Sequence, residues 1–275
     1  MTLSIITINY NNREGLQKTI DSVLSQTWKD YEWLIIDGGS TDGSKELIEQ
    51  YKEHFAYWCS EPDKGVYNAM NKGIAKAKGE YLNFMNSGDC FYEAGTLKNV
   101  FSKERKAAIL YGDCMQIYPD HNHVIKYPIQ MEFYTIYMHP ICHQSLFINK
   151  TLLKERNYDE AYTIYADWKQ LMEETIQGAT LEHIGCIVCR YDMSGMSSVY
   201  DKTFNKEWHN ARMVTPEIIR RSMEHLNSYA GSRHTVRAKL LLEYGGIVSI
   251  ITKLFLALMD KLFIRKDFRD YPYCD

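Results

Sequence analysis

The chain has 275 residues, 45% of them hydrophobic and 24% charged, with a formal net charge of −3. This is ordinary globular composition, which excludes a disordered chain and leaves room for one large domain with an appendage. No global positive field draws it to nucleic acid, and no basic patch surrounds its aspartate runs, so no nucleic-acid partner is expected.

In chain order, Leu3 to Ile8 is a short apolar run suited to a buried strand, and Asn9-Tyr10-Asn11-Asn12 supplies turn formers after it. With no charged region and apolar core ahead of that strand, no signal peptide is expected, and the chain is assigned to the cytoplasm. Leu16, Ile20, Val23 and Leu24 then fall at helical spacing, with Asn12 as N-cap. Glu32 to Ile36 predicts a second strand, Lys45 to His54 a second helix and Ala56 to Cys59 a third strand. Tyr67 to Lys78 predicts a third helix ended by Gly79, and Tyr81 to Met85 a fourth strand. This alternation through about residue 90 predicts an α/β fold with a mostly parallel sheet and crossover helices.

Beyond residue 90 the alternation weakens. Ala107 to Tyr111, His123 to Tyr127 and Ser145 to Asn149 read as strands, and Thr96 to Lys103, Thr151 to Glu155 and Tyr165 to Ile176 as helices. Asp201 to Arg233 is polar and helical. The seven cysteines are scattered and odd in number, which fits reduced thiols. Cys186-Ile187-Val188-Cys189 reads as buried strand rather than a redox or zinc site. From Gly246 onward, Ile247, Ile250, Ile251, Leu254, Phe255, Leu258, Leu262 and Phe263 make a helical stripe with Lys and Arg in excess around it. Two readings stand there: a helix packed on the domain, or a basic amphipathic helix giving peripheral contact with the inner face of the membrane. Lys253 and Asp260 interrupt the stripe, which disfavours a spanning helix.

The chemistry concentrates in two runs, Trp33-Leu34-Ile35-Ile36-Asp37-Gly38-Gly39-Ser40-Thr41-Asp42-Gly43-Ser44 and Leu82-Asn83-Phe84-Met85-Asn86-Ser87-Gly88-Asp89. Each is a strand entering a small-residue turn that carries aspartate, so carboxylates arrive at the carboxyl ends of strands, where open α/β sheets bind ligands. The first loop is no Walker A loop, because Ser44-Lys45 stands where Lys followed by Ser or Thr is needed. It also lacks G-x-G-x-x-G. Asp37 therefore reads as a nucleoside contact, with a turn-capping residue as the alternative.

Ser4 through Asp89 resembles the nucleotide-binding half of family 2 glycosyltransferases. The resemblance rests on Ser4-Ile5-Ile6-Thr7, the Asp37 to Ser44 loop, Gly65 with Asn71 and Gly73-Ile74, and Gly79-Glu80-Tyr81-Leu82. It returns in Cys142-His143-Gln144-Ser145 and Tyr158-Asp159-Glu160, similar to the acceptor-side segment of bacterial enzymes that make capsule, lipopolysaccharide or colanic-acid-type polymers. The resemblance implies a GT-A fold over 1–200, with a nucleotide-binding half at 1–90 and an acceptor half at 91–200, followed by a helical extension at 201–275. It implies an inverting transferase that moves a sugar from a nucleotide-diphosphate sugar donor, with a divalent metal (Mn²⁺ or Mg²⁺), to a hydroxyl of a glycan or lipid-linked acceptor. A non-catalytic sugar-nucleotide or glycan-binding relative and a nucleotidyltransferase are the rivals.

Carried over residue by residue, Thr7, Asn9 and Asn11 line the nucleotide pocket, Asp37 contacts base or ribose, Asp63 sits beside the nucleoside and Lys64 reaches a phosphate. Met70 stands where many members have arginine. The metal run is reduced to Asn86-Ser87-Gly88-Asp89, leaving Asp89 as the metal ligand, with diphosphate oxygens and water to complete the shell. Asp167, at the start of a helix in the second half, matches the family's base, the alternative being a helix-terminal cap. His143 is placed on the acceptor or leaving-group side or in a local hydrogen bond. Trp168 is placed against a sugar face or in the core, as are Phe133, Tyr134 and Tyr137. Ser194 to Ser198 is expected as a loop closing over the donor.

Overall fold

The computed structural model describes residues 1–193 and 202–230. Four strands, β1 (Leu3–Asn9), β2 (Tyr31–Asp37), β3 (Tyr57–Ser60) and β4 (Tyr81–Phe84), lie parallel in the order β3-β2-β1-β4. Their apolar runs barely alternate, as expected where helices cover both faces of a parallel sheet. Leu3, Ile5, Ile6, Leu34, Ile35 and Ile36 are all fully buried, each contributing about 1.5–3 kcal/mol of hydrophobic stabilisation.

The crossovers are α1 (Arg13–Leu24), α2 (Ser44–Gln50) and α3 (Val66–Lys76). Asn12 caps α1, its side chain accepting from Gly15 N at 3.1 Å. The second predicted helix is interrupted: α2 stops at Gln50 and a 3₁₀ turn carries Lys52–His54. Gly79 sits where β4 must pass β1 closely, since a Cβ there would meet Ser4 N at 2.4 Å.

After β4 come β5 (Cys90–Phe91), α4 (Thr96–Val100), β6 (Ile109–Ile117), β7 (Asn122–Ile125), α5 (Phe133–Met138), β8 (Leu146–Asn149), α6 (Lys150–Glu155), α7 (Ala166–Ile176), β9 (Leu181–Asp192) and α8 (Lys202–Arg212). β8 joins the halves, antiparallel to both β4 and β6. β9 runs parallel to β6 and pairs antiparallel with β5. Among the described residues one nine-stranded sheet results, with β7 pairing β6 beside the main path. The Cys186 to Cys189 run lies in β9, with Cys189 buried and Cys186 half-buried.

Met1–Val214 form one compact unit and Thr215–Asp275 a second, in which α9 (Glu217–Ala230) is described. α8, which the sequence reading put in the C-terminal extension, is therefore part of the first unit. The loop at 194–198 and the stripe at 247–263 lie outside the described residues. Among those described, no helix is long and apolar enough to cross a membrane.

Candidate active site

Parallel pairing in register brings Asn9 level with Asp37, so the carboxyl ends of β1 and β2 open at one place. Asp37 is fully buried and accepts four hydrogen bonds: from Asn9 Nδ2 at 2.7 Å, Ser40 Oγ at 2.5 Å, Ser40 N at 2.9 Å and Ser60 Oγ at 2.6 Å. Burial raises its carboxyl, but the bonds from Ser40, Ser60 and Asn9 outweigh that and hold it below the ordinary value. Asp37 thus binds the ends of β1, β2 and β3 and the intervening turn into one ionised knot. Asn11, at φ 48°, accepts from Thr41 N at 2.8 Å and fastens the same turn. Asp63 lies against this turn, its Oδ2 only 2.6 Å from where a Cβ on Gly38 would stand, so a side chain there would displace the Asp63 carboxylate. Lys64 follows on the exposed surface and Lys72 is paired with Glu61 at 2.8 Å. Thr7 is a correction. It is fully buried, and its hydroxyl accepts from the Trp33 indole at 3.0 Å, which takes it out of the nucleotide pocket.

The end of β4 delivers the second cluster. Gly88 takes φ +106°, a left-handed conformation that turns the chain before Asp89. Asp89 is buried, accepting from Gln144 Nε2 at 2.8 Å and from Asp192 N, at the end of β9, at 3.1 Å. Burial pushes its carboxyl up to about 6; the Gln144 bond and nearby His143 oppose this, and the Asp192 carboxylate adds to it. No lysine or arginine pairs with Asp89 among the described residues.

A chain of hydrogen bonds then crosses from β4 to the second half. Asn86 Nδ2 donates to His143 Nε2 at 3.0 Å, and His143 Nδ1 lies 3.0 Å from Asp167 Oδ2. With the amide so oriented, the imidazole proton resides on Nδ1 and is donated to the carboxylate. Asp167 Oδ1 accepts from Tyr67 Oη at 2.9 Å and from Trp168 N at 2.9 Å. The Tyr67 hydroxyl also contacts the Ile164 carbonyl, and burial, with Asp167 beside it, pushes this phenol well above its usual range. Asp167 therefore sits in the first turn of α7 and also faces two side-chain donors.

Trp168 is the second correction. It is only 1% exposed, donates its indole N–H to the Ile136 carbonyl at 2.6 Å and packs on Trp208, so no sugar reaches its face. Tyr137 is equally buried, while Phe133 and Tyr134 are half-buried. Asp113, inside β6, is held by His183 and Tyr127 N and is structural. Four participants were given no role from the sequence: Tyr67, Asn86, Gln144 and Asp192. Gln144 adjoins His143 in the motif quoted above, and Asp192 is another carboxylate at a strand end. Asn86 heads the reduced metal run, and Tyr67 carried no comparable signal.

The glycosyl transferase family 2 model matches residues 4–165. A glycosyltransferase of Mycobacterium tuberculosis, described as uncharacterized, is 32% identical over 203 residues, covering 72% of this chain and 77% of its own. A PGL/p-HBAD biosynthesis glycosyltransferase of Mycobacterium bovis is 29% identical over 172 residues, 60% of this chain and 66% of its own. Among solved structures, S. aureus TarS aligns with a TM-score of 0.65 at 17% identity, over 86% of this chain and 44% of its own. The mannosyltransferase PcManGT from Pyrobaculum calidifontis, solved with GDP-Man and Mn²⁺, aligns with a TM-score of 0.58 at 16% identity, over 95% and 81%. The chain spans less than half of TarS, and at such identities the structures bear on the GT-A-type fold alone. The family model covers more than half of the chain, and on that ground the chain belongs to glycosyl transferase family 2.

Proposed function

We propose that this transferase moves a sugar, with inversion, from a nucleoside-diphosphate donor to a hydroxyl of a surface-glycan or lipid-linked acceptor on the cytoplasmic side of the membrane. One observation carries the reading: the Asn86–His143–Asp167–Tyr67 chain joins a carboxylate of the second half to the strand end bearing Asp89. The donor's nucleoside lies by Asn9, Asn11, Asp37 and Asp63, with Asp37 acting mainly by fixing the turn that the base and ribose meet. Lys64, on the exposed edge of that pocket, reaches the phosphates. Donors of this kind occupy related folds, since TarS is solved with UDP-GlcNAc and PcManGT with GDP-Man.

Asp167 takes the proton of the acceptor hydroxyl as that oxygen attacks the anomeric carbon. His143 donates to one carboxylate oxygen and the Tyr67 hydroxyl, which shares its one proton between the Ile164 carbonyl and the other oxygen, holds the second; partial burial limits competing water.

Asp89, with the Asp192 carboxylate beside it, suits a divalent cation. Here a buried carboxyl, already shifted up, faces a second negative group and only neutral hydrogen-bond donors, and the Asn86 Oδ1 acceptor nearby is buried without a partner. Among the described residues no cluster of three His, Cys, Asp or Glu could hold a metal, so most ligands would come from diphosphate and water. Mn²⁺ or Mg²⁺ bound there supplies charge neutralisation for the leaving diphosphate.

The test begins with a thermal-shift screen of sugar nucleotides with and without Mn²⁺, since a ligand that binds the folded state raises its melting temperature. With the stabilising donor, free nucleoside diphosphate should appear only when a glycan acceptor is added. No release with any acceptor would favour a binding protein, and pyrophosphate release would favour a nucleotidyltransferase.

A further inference from the structure

Three successive backbone N–H groups, those of Thr163, Ile164 and Tyr165, converge just before α7 and need an acceptor. Glu207 of α8 supplies it: Oε1 lies 2.7 Å from Thr163 N, and Oε2 lies 2.8 Å from Ile164 N and 3.3 Å from Tyr165 N. The carboxylate is 7% exposed. A carboxylate on converging N–H groups at a helix N-terminus is favoured by both their hydrogen bonds and the helix dipole. Tyr165, the N-cap residue, makes no side-chain cap bond, and its N–H and the two before it are held by a residue over forty positions away in sequence.

The same short loop reaches the candidate base from two sides. Ile164, whose N–H is held by Glu207, offers its carbonyl to Tyr67, and the Tyr67 hydroxyl also meets Asp167. Asp167 itself is two residues beyond Tyr165, in the first turn of α7, which follows this loop. Aromatic packing repeats the connection: Trp208 lies 4.4 Å from Trp168 and 5.5 Å from Tyr165, and Phe204 lies 5.1 Å from Tyr165, centroid to centroid.

We infer that Glu207 is a positioning residue for the transfer reaction, clamping the 163–165 loop so that Asp167 and Tyr67 hold the geometry the acceptor hydroxyl meets. The inference rests on the reading of Asp167 as base. The Glu207 carboxylate is taken up by the loop's three N–H groups. Its loss should therefore lower kcat and leave donor binding as it was, since misplacement of a reacting group by about 1 Å costs roughly 10²-fold.

The experiment compares full-length wild type with Glu207→Gln, Glu207→Asp and Glu207→Ala, each assayed below its melting temperature. Rates are normalised to nucleotide-binding sites counted by calorimetry, and amide hydrogen exchange is read across 160–170. Glu207→Ala should lose ten- to a hundredfold in kcat with donor KM and Kd unchanged, and exchange at 163–165 should accelerate. Glu207→Gln keeps the size but sets an NH₂ group against converging donors, so it should fall nearly as far; Glu207→Asp should recover part of the rate. Wild-type kcat per site in Glu207→Ala and Glu207→Gln, with only a lowered melting temperature, would overturn the inference. If the wild type itself transfers no sugar, the functional reading fails instead. Unchanged exchange at 163–165 would then show separately that no clamp exists.

Discussion

Asp37 and Asp89 each end a strand of the parallel half-sheet, and burial acts on both carboxyls in the same direction, yet their final states differ because their partners differ. Four hydrogen bonds keep Asp37 ionised, so its stabilisation is present above the unfolded value near about 3.9 and is lost as pH falls through the lower folded value. Asp89 has two such bonds and a second carboxylate beside it, and its carboxyl rises to about 6. The sign is then reversed: Asp89 contributes stability that is complete below about pH 4 and disappears as pH rises through about 6, on the order of 3 kcal/mol in all. A cation that binds the ionised form should bind more tightly as pH rises through about 6. Calorimetry of Mn²⁺ with the bound nucleotide, between pH 5 and 8, should show that rise in wild type, and Asp89→Asn should flatten it. A flat wild-type profile would remove Asp89 from the metal. At this scale Asp37 and Asp89 could be placed at strand ends because small-residue turns there advertise polar side chains, whereas His143 and Asp167 were named through the family resemblance. Thr7 and Trp168 could not be placed, because a hydroxyl and an indole N–H bonded inside the core look no different in sequence from ones that face a ligand.

Among the elements, α7 carries the most weight, because its first turn holds Asp167 at the point where both halves of the sheet meet. Asp167, in the first turn of α7, accepts from the adjacent Trp168 N and also from His143 and Tyr67, which a residue serving only the helix terminus has no need of. Asp167→Asn keeps size and the Trp168 contact while removing the proton acceptor. Turnover should drop by roughly 10²–10⁴-fold with donor affinity retained, whereas a cap alone would cost about 1 kcal/mol of stability. Steady-state kinetics beside thermal denaturation separates the two: near-normal turnover with a lowered melting temperature would make Asp167 a cap. The first four strands and three helices could be read directly because apolar runs and helical stripes alternate there. In the second half the signal fades for identifiable reasons. β5 has only two residues and α5 is a six-residue aromatic segment without a polar face; β8 was read as a strand, but not its antiparallel pairing with strands distant in sequence. β9 runs for twelve residues, of which only the Cys186 to Cys189 stretch reads as buried strand, since its burial is uneven along its length.

For the molecule as a whole, the question is where the catalytic unit ends, and α8 answers it differently from composition. The polar helical stretch after residue 200 reads as an appendage because its few apolar side chains are widely spaced. Yet Glu207 is buried on the loop before α7, and Trp208 packs on Trp168 and Tyr165. A chain ending at residue 214 should therefore fold and bind the donor nucleotide like the full-length protein. One ending at residue 200 should melt at least several degrees lower, because three backbone donors lose their acceptor and an aromatic face is exposed, and each such loss costs about 1–3 kcal/mol. Circular dichroism melting and nucleotide calorimetry on the two truncations would decide, and equal stability would return the boundary to residue 200. The same 1–214 chain tests the basic stripe from Ile247 to Phe263, which it lacks. If that stripe lies on a membrane surface, the full chain should co-sediment with anionic vesicles, with binding that weakens as salt is raised, while the 1–214 chain stays in solution. Equal sedimentation of both, or of neither, would place the stripe against protein rather than lipid.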